Sequence, residues 1–302
     1  MSARKMRMLT ITLILFLLVM SIYVHPVYCW GPHTHVSLTK EVLSSLENET
    51  SPILRIVRAH IDAFYCGLLI PDVSVIYYYT DFQVYKSTHS WSWYHKLIKV
   101  ASSDEELAFA YGVACHLIQD AVIHNYYIPQ KIRRTWLMNS IVHPIVEGLI
   151  ETHHLTPETR GALSVMEQFL PLMNKTLRRD FTKEANTLRS AVAGGRFYQQ
   201  AYTPDRSSPL WGFYQFISGF LQGWVDESDY QRYYQTAKQK TIEFFKYGTT
   251  PALDPSGEEA LKGADGDVMI YSILLYGGGA VLLLVAARKG ILTSLLKRRK
   301  KS

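Results

Sequence analysis

Cysteine is scarce in this chain, with three among 302 residues, at positions 29, 66 and 115. Such a count excludes a disulfide framework, and one bridge between Cys66 and Cys115 is the most it allows. No internal repeat is visible, and no low-complexity segment apart from a basic C-terminal tail. Strand signals are equally thin; "DVSVIYYYT" (72–80) is the best of them and reads as a strand or an extended loop. The body of the chain also lacks a positive surplus. The formal net charge is +6, but Arg4, Lys5, Arg7, Arg288, Lys289, Lys297, Arg298, Arg299, Lys300 and Lys301 all sit at the two ends, where no acid accompanies them. Residues 8–287 are left mildly acidic, with no broad electrostatic footprint for nucleic acid. With 48% hydrophobic and 19% charged residues the composition suits a packed core and excludes a disordered chain.

The ends read as secretory and membrane signals. "MSARKMRMLTITLILFLLVMSIYVHPVYC" (1–29) has a basic start, an apolar run from Leu9 to Met20 and a short-chain pair, Val27 and Cys29. These are the parts of a cleaved signal peptide, with an uncleaved anchor helix as the alternative. Cleavage after Cys29 would make Trp30 the first residue of the mature protein. "VMIYSILLYGGGAVLLLVAA" (268–287) is a 20-residue stretch without charge, long enough to span a bilayer. The basic tail 288–302 that follows is expected in the cytoplasm by the positive-inside rule. The expectation is a single-pass protein of the cell membrane with its body outside, which the glycosylation-type triplets at Asn48 and Asn174 suit.

Between the ends the apolar spacing is mostly helical. Val36, Leu38, Val42, Leu43 and Leu46 line one helical face. "SPILRIVRAHIDAFYCG" opens on Ser-Pro and closes on Gly67, and "SSDEELAFAYGVACHLIQDAVIHNYYIP" opens on a Ser-capped acidic turn and is expected to stop near Pro129. Segments around 158–178, 182–194, 207–224 and 227–247 read as helices too. The fold class expected is all-α: one domain over 30–248, and a linker, rich in Pro, Gly and acids, over 249–267.

Seven of the eleven histidines lie between His89 and His154. His116, Asp120 and His124 recur at steps of four, so a helix stacks them on one face. Two imidazoles and a carboxylate on an otherwise apolar segment are either metal ligands or a wet polar stripe. His143 and Glu147 repeat the spacing in "HPIVEG". Three further stretches are bland individually: "WGPHTH" with His33 and His35, "GLLIPD" with a turn over Gly67–Pro71 presenting Asp72, and "THSWSWYH" with His89 and His95.

Taken in order, Trp30, His35, Asp72, His89, His116-x3-Asp120-x3-His124 and His143-x3-Glu147 resemble the zinc-dependent phospholipase C family over roughly residues 30–150. The related single-strand-specific nucleases of fungi and plants share the pattern, and the "WGxxxH" opening is closest to that branch. The gap before His124 is shorter than in the best-known bacterial phospholipase. The resemblance implies an all-α secreted enzyme that holds three zinc ions and uses the amino group and carbonyl of an N-terminal Trp as ligands. It implies that Asp72, His89, His116 and Asp120 hold one zinc, with His95 the alternate to His89. Trp30 and His35 would hold a close neighbour bridged by Asp120, with His33 a further alternate, and His124, His143 and Glu147 a third, more open site. A donor set of nitrogen and carboxylate without thiolate suits catalytic zinc. The activity implied is phosphodiester hydrolysis by metal-activated hydroxide, with Asp72 orienting or deprotonating the attacking water.

Two substrates compete. A membrane-tethered body without basic surplus favours phospholipid, and makes nucleic acid the less favoured partner. The aromatic runs at 76–82 and 211–216 could serve a nuclease as stacking platforms, or simply pack. A third reading, from a different class, is a metal-stabilised binding module anchored to the membrane and devoid of catalysis.

Overall fold

A computed structural model describes residues 32–73, 86–135, 165–178 and 227–268, together with positions 180, 182 and 186. The described part is helical, with no strand among the described residues, in keeping with the all-α expectation. In chain order the helices are α1 (Pro32–Ser45), α2 (Pro52–Ala59), α3 (Ile61–Val73), α4 (Trp91–Val100), α5 (Asp104–Val122), α6 (Ile128–Thr135), α7 (Met166–Leu177) and α8 (Glu227–Tyr247), and a π-turn over Ile123–Tyr127 joins α5 to α6. A further helical stretch, α9, covers 258–268.

Helix α5 is the axis of the domain. Its start is written in the sequence: Ser103 Oγ accepts from Glu106 N at 3.1 Å, while Glu106 Oε2 accepts from Ser102 N at 2.6 Å. The first bond satisfies a donor that the first turn leaves without a helical partner, and the second ties the residue before the cap back to that turn. From Ala108 to Val122 it is buried on nearly every side. With α6 it forms a run, Asp104–Arg134, long and apolar enough to cross a membrane, yet the other helices cover it. It is a core helix that is hydrophobic all round because it is enclosed all round.

Helix α3 lies along α5 in the largest helix–helix interface of the described residues. Two glycines make the approach close enough. A Cβ on Gly67 would stand 1.9 Å from Phe109 O, and one on Gly112 would stand 2.0 Å from Phe64 O. Gly67 therefore does not stop a helix, as the sequence suggested; it sits inside α3 where two backbones meet. The expected turn at Gly67–Pro71 is likewise helix. Pro71 lies within α3, whose last turn carries Asp72. That helix includes Val73, so the strand or loop expected over 72–80 begins as helix, and 74–80 fall outside the described residues.

Three other boundaries differ. The single helix expected from Pro52 to Gly67 breaks at His60, between α2 and α3. The helix expected to stop near Pro129 continues to Thr135. The wide π-turn before Pro129 lets the chain accommodate a residue that cannot donate to the preceding turn. Residues 251–267, most of the expected linker, pack onto the body together with Val268, the first residue of the expected span: Leu261, Ala264 and Val268 are buried, and Arg133 Nε pairs with Asp267 Oδ2 at 2.7 Å. Proline and glycine there shape a fixed turn instead of a spacer. Residues 1–29, expected to be a signal peptide, and the apolar stretch beyond Val268 lie outside the described residues, as do both aromatic runs. Cys66 and Cys115 are free thiols in the core.

Candidate metal centre

Asp120 is the centre of the site. It occupies the α5 face that α1, α3 and the start of α4 cover, and is fully buried. His116 Nε2 lies 2.9 Å from Asp120 Oδ2, His89 Nε2 lies 3.5 Å from the same oxygen, and His35 Nε2 lies 3.4 Å from Oδ1. Asp72, reaching in from the last turn of α3, places Oδ1 3.8 Å from His116 Nε2. Its side chain keeps 10% exposure while the others keep none, so Asp72 marks the solvent side of the cluster.

The far nitrogens of these rings show what the near ones are for. His116 Nδ1 lies 2.9 Å from the carbonyl of Leu68, an acceptor only, so Nδ1 is the donor. In the neutral ring Nε2 is then a lone pair, and it faces a carboxylate that also only accepts. Nε2 is outside hydrogen-bond geometry despite the short distance. Two acceptors 2.9 Å apart in a buried site require a cation between or beside them, either a proton or a metal. His35 follows the same plan: Nδ1 donates to Gln119 Oε1 at 2.7 Å, and the Gln119 amide is fixed by donating to Thr39 Oγ1 at 2.9 Å. His89 Nδ1 lies 3.3 Å from Thr88 Oγ1. Imidazoles held by one nitrogen and presenting the other are the arrangement in which histidines ligate metals.

The charges agree. Burial disfavours the imidazolium of His35, but Asp120, with Asp72 and Gln119 adding, outweighs it and holds His35 up at about 9. Burial would raise the carboxyl of Asp120, yet the fields of His116 and His124 and the close approach of His116 and His35 keep it well below the usual carboxylate range. The pocket is thus built around an ionised acid that attracts positive charge.

The donor set tests which cation fits. His35, Asp72 and His116 form one group of ligand atoms within 4.8 Å of one another, and His89, His116 and Asp120 form another. Two ligands on a tetrahedral zinc, each at about 2.0–2.1 Å, stand roughly 3.3 Å apart, close to the separations here. The nitrogen and carboxylate donors suit zinc, and His116 is common to the two groups.

The structure thus brings together His35, Asp72, His89, His116 and Asp120 from four segments of the chain. His95 lies elsewhere: it is exposed on α4 and its ring packs beside Tyr94. His89→Ala is accordingly expected to lower bound zinc and His95→Ala to leave it unchanged, which metal analysis of the two variants checks. His33 falls in the first turn of α1. His124 is buried in the π-turn, with Nδ1 2.7 Å from Pro255 O, and joins neither group. Trp30, His143 and Glu147 lie outside the described residues. Sequence reading missed Gln119, Thr39 and the carbonyls of Leu68 and Pro255. Only Gln119, adjoining Asp120 on a buried helix, carried a visible signal.

No curated protein and no solved structure matches the chain. A family model does, over residues 34–154, and its description is zinc dependent phospholipase C. That span contains His35, Asp72, His89, His116 and Asp120, the residues that converge here. Over residues 34–154 the chain is therefore similar to the zinc-dependent phospholipase C family.

Proposed function

We propose that this protein is a phospholipase C-type phosphodiesterase that cleaves membrane phospholipid at a zinc centre. The observation that supports it is the convergence of three imidazoles and two carboxylates around Asp120, inside the segment that matches the family. Bound zinc supplies a water of lowered pKa and positive charge toward the phosphate oxygens. The protein's own groups do the rest. Asp120 turns one oxygen toward His35 and the other toward His89 and His116. Leu68 O and Gln119 hold His116 and His35 with Nε2 presented inward. Asp72, the member nearest solvent, is positioned to orient a water and take its proton.

In this reading the centre holds three ions, completed by Trp30 at a mature N-terminus and by His124, His143 and Glu147. The body stands outside the cell, tethered through 268–287, and the tether concentrates it at its substrate. A mildly acidic body favours lipid over nucleic acid. The test uses the full chain: zinc content, hydrolysis of a chromogenic phosphocholine ester, and hydrolysis of single-stranded DNA. Zinc with ester cleavage is expected. Cleavage of DNA alone would assign the nuclease activity instead, and zinc without either activity would leave a metal-stabilised binding module.

A further inference from the structure

The π-turn that carries His124 is clasped by a strap from the far end of the domain. Three side chains hold its backbone. His124 Nδ1 donates to Pro255 O at 2.7 Å, Asn125 Nδ2 to Asp254 O at 2.7 Å, and Trp91 Nε1 to Leu253 O at 2.8 Å. Asp254 stiffens the turn from within, with Oδ2 accepting from Ser256 Oγ at 2.5 Å. Gly257 then passes so near that a Cβ there would stand 2.4 Å from His124 Cβ, and its φ of +60° is one that a side chain disfavours. Beyond the strap, Lys86 pairs with Glu258 at 2.8 Å and α9 buries its apolar face.

We infer that residues 253–257 are a positioning element of the metal centre, lying about a hundred residues past the end of the family match. The proposal rests on the reading of His124 as a zinc ligand. A backbone carbonyl only accepts, so Pro255 O fixes the proton on Nδ1 of His124 and leaves Nε2 as the ligand atom. The strap is needed because of the π-turn. His116 and Asp120 are aimed by the regular turns of α5, whereas His124 follows a widened turn that does not set its direction by helical register alone. An acceptor brought from outside the helix takes over that task. The metal-binding unit thus extends to Val268, where the apolar stretch of the sequence begins, and the ring of one ligand is held by the chain that leads into the tether.

Five variants of the full chain test this. Asn125→Ala and Trp91→Phe each remove one bond to the strap, Gly257→Ala forces it away, Gly263→Ala is the control because a Cβ there meets nothing within 4 Å, and His124→Ala removes the ligand. Bound zinc after dialysis and the affinity of the weakest ion, by chelator competition, are read alongside helix content. Asn125→Ala and Trp91→Phe are expected to weaken the weakest ion about 10–100-fold, with activity restored by excess zinc. Gly257→Ala is expected to hold one zinc fewer than Gly263→Ala. If Gly257→Ala does not fold, the two milder variants decide. Unchanged affinity in both, with zinc lost from His124→Ala, overturns the strap's role. Full zinc in His124→Ala overturns the ligand reading itself.

Discussion

Replacing Asp120 with Ala is expected to strip the protein of most of its zinc and reduce phosphodiester hydrolysis by about a thousandfold or more, the scale on which a preorganised charged group acts in an active site. The reason is its position among three imidazoles. One oxygen faces His35, the other faces His89 and His116, and none of the four side chains reaches solvent. Asp120→Asn is the sharper form of the test. It keeps the shape, removes the charge, and puts an amide where one of the acceptors stood. Zinc content falls in both variants while helix content by circular dichroism is retained, because the core around α5 is apolar and does not depend on this carboxylate. Full zinc loading in either variant would refute the assignment.

Gly112→Ala is expected to destabilise the fold and to loosen the metal centre together. On helix propensity alone the change is favourable, by up to about 1 kcal/mol. Packing reverses the sign. The new Cβ would stand 2.0 Å from Phe64 O and 2.7 Å from Leu68 N, both backbone atoms, so α3 must move off α5. Overpacking of that kind costs about 1–3 kcal/mol, and more where backbone cannot yield. The displaced segment includes Leu68, whose carbonyl holds His116, and leads to Asp72 one turn later. Thermal unfolding of the variant is expected at a clearly lower temperature, with weaker zinc binding measured by chelator competition. Gly263→Ala serves as the neutral comparison, since its Cβ enters open space. A stabilised Gly112→Ala protein would show that the two helices do not cross as closely as described.

Much of the local structure was legible because its causes are local. Ser103 with Glu106 announces the start of α5, Ser51-Pro52 announces α2, and steps of four place His116 and Asp120 on one helical face. The boundaries that were misread share another cause. Gly67, Pro71 and Pro129 are punctuation in an isolated peptide, yet each is tolerated inside helix here, Gly67 because only hydrogen fits against Phe109 O. Pro255 and Gly257 looked like the ingredients of a linker because their partner, His124, is remote in the chain. A side chain's neighbours at such separations leave no periodic trace in sequence.

Sequence alone showed imidazoles and carboxylates on helices whose spacing puts pairs of them on common faces, and the family resemblance implied a ligand set without thiolate. Residue type and helical period are properties of short stretches, so they can be read from short stretches. Only the packed fold shows that His116 belongs to both ligand groups, that His89 and not His95 lies against Asp120, and which nitrogen of each ring faces the carboxylate or a backbone carbonyl. Those outcomes depend on the crossing of α3 with α5 and on carbonyls brought from distant segments, and only a packed core holds such groups within hydrogen-bonding distance.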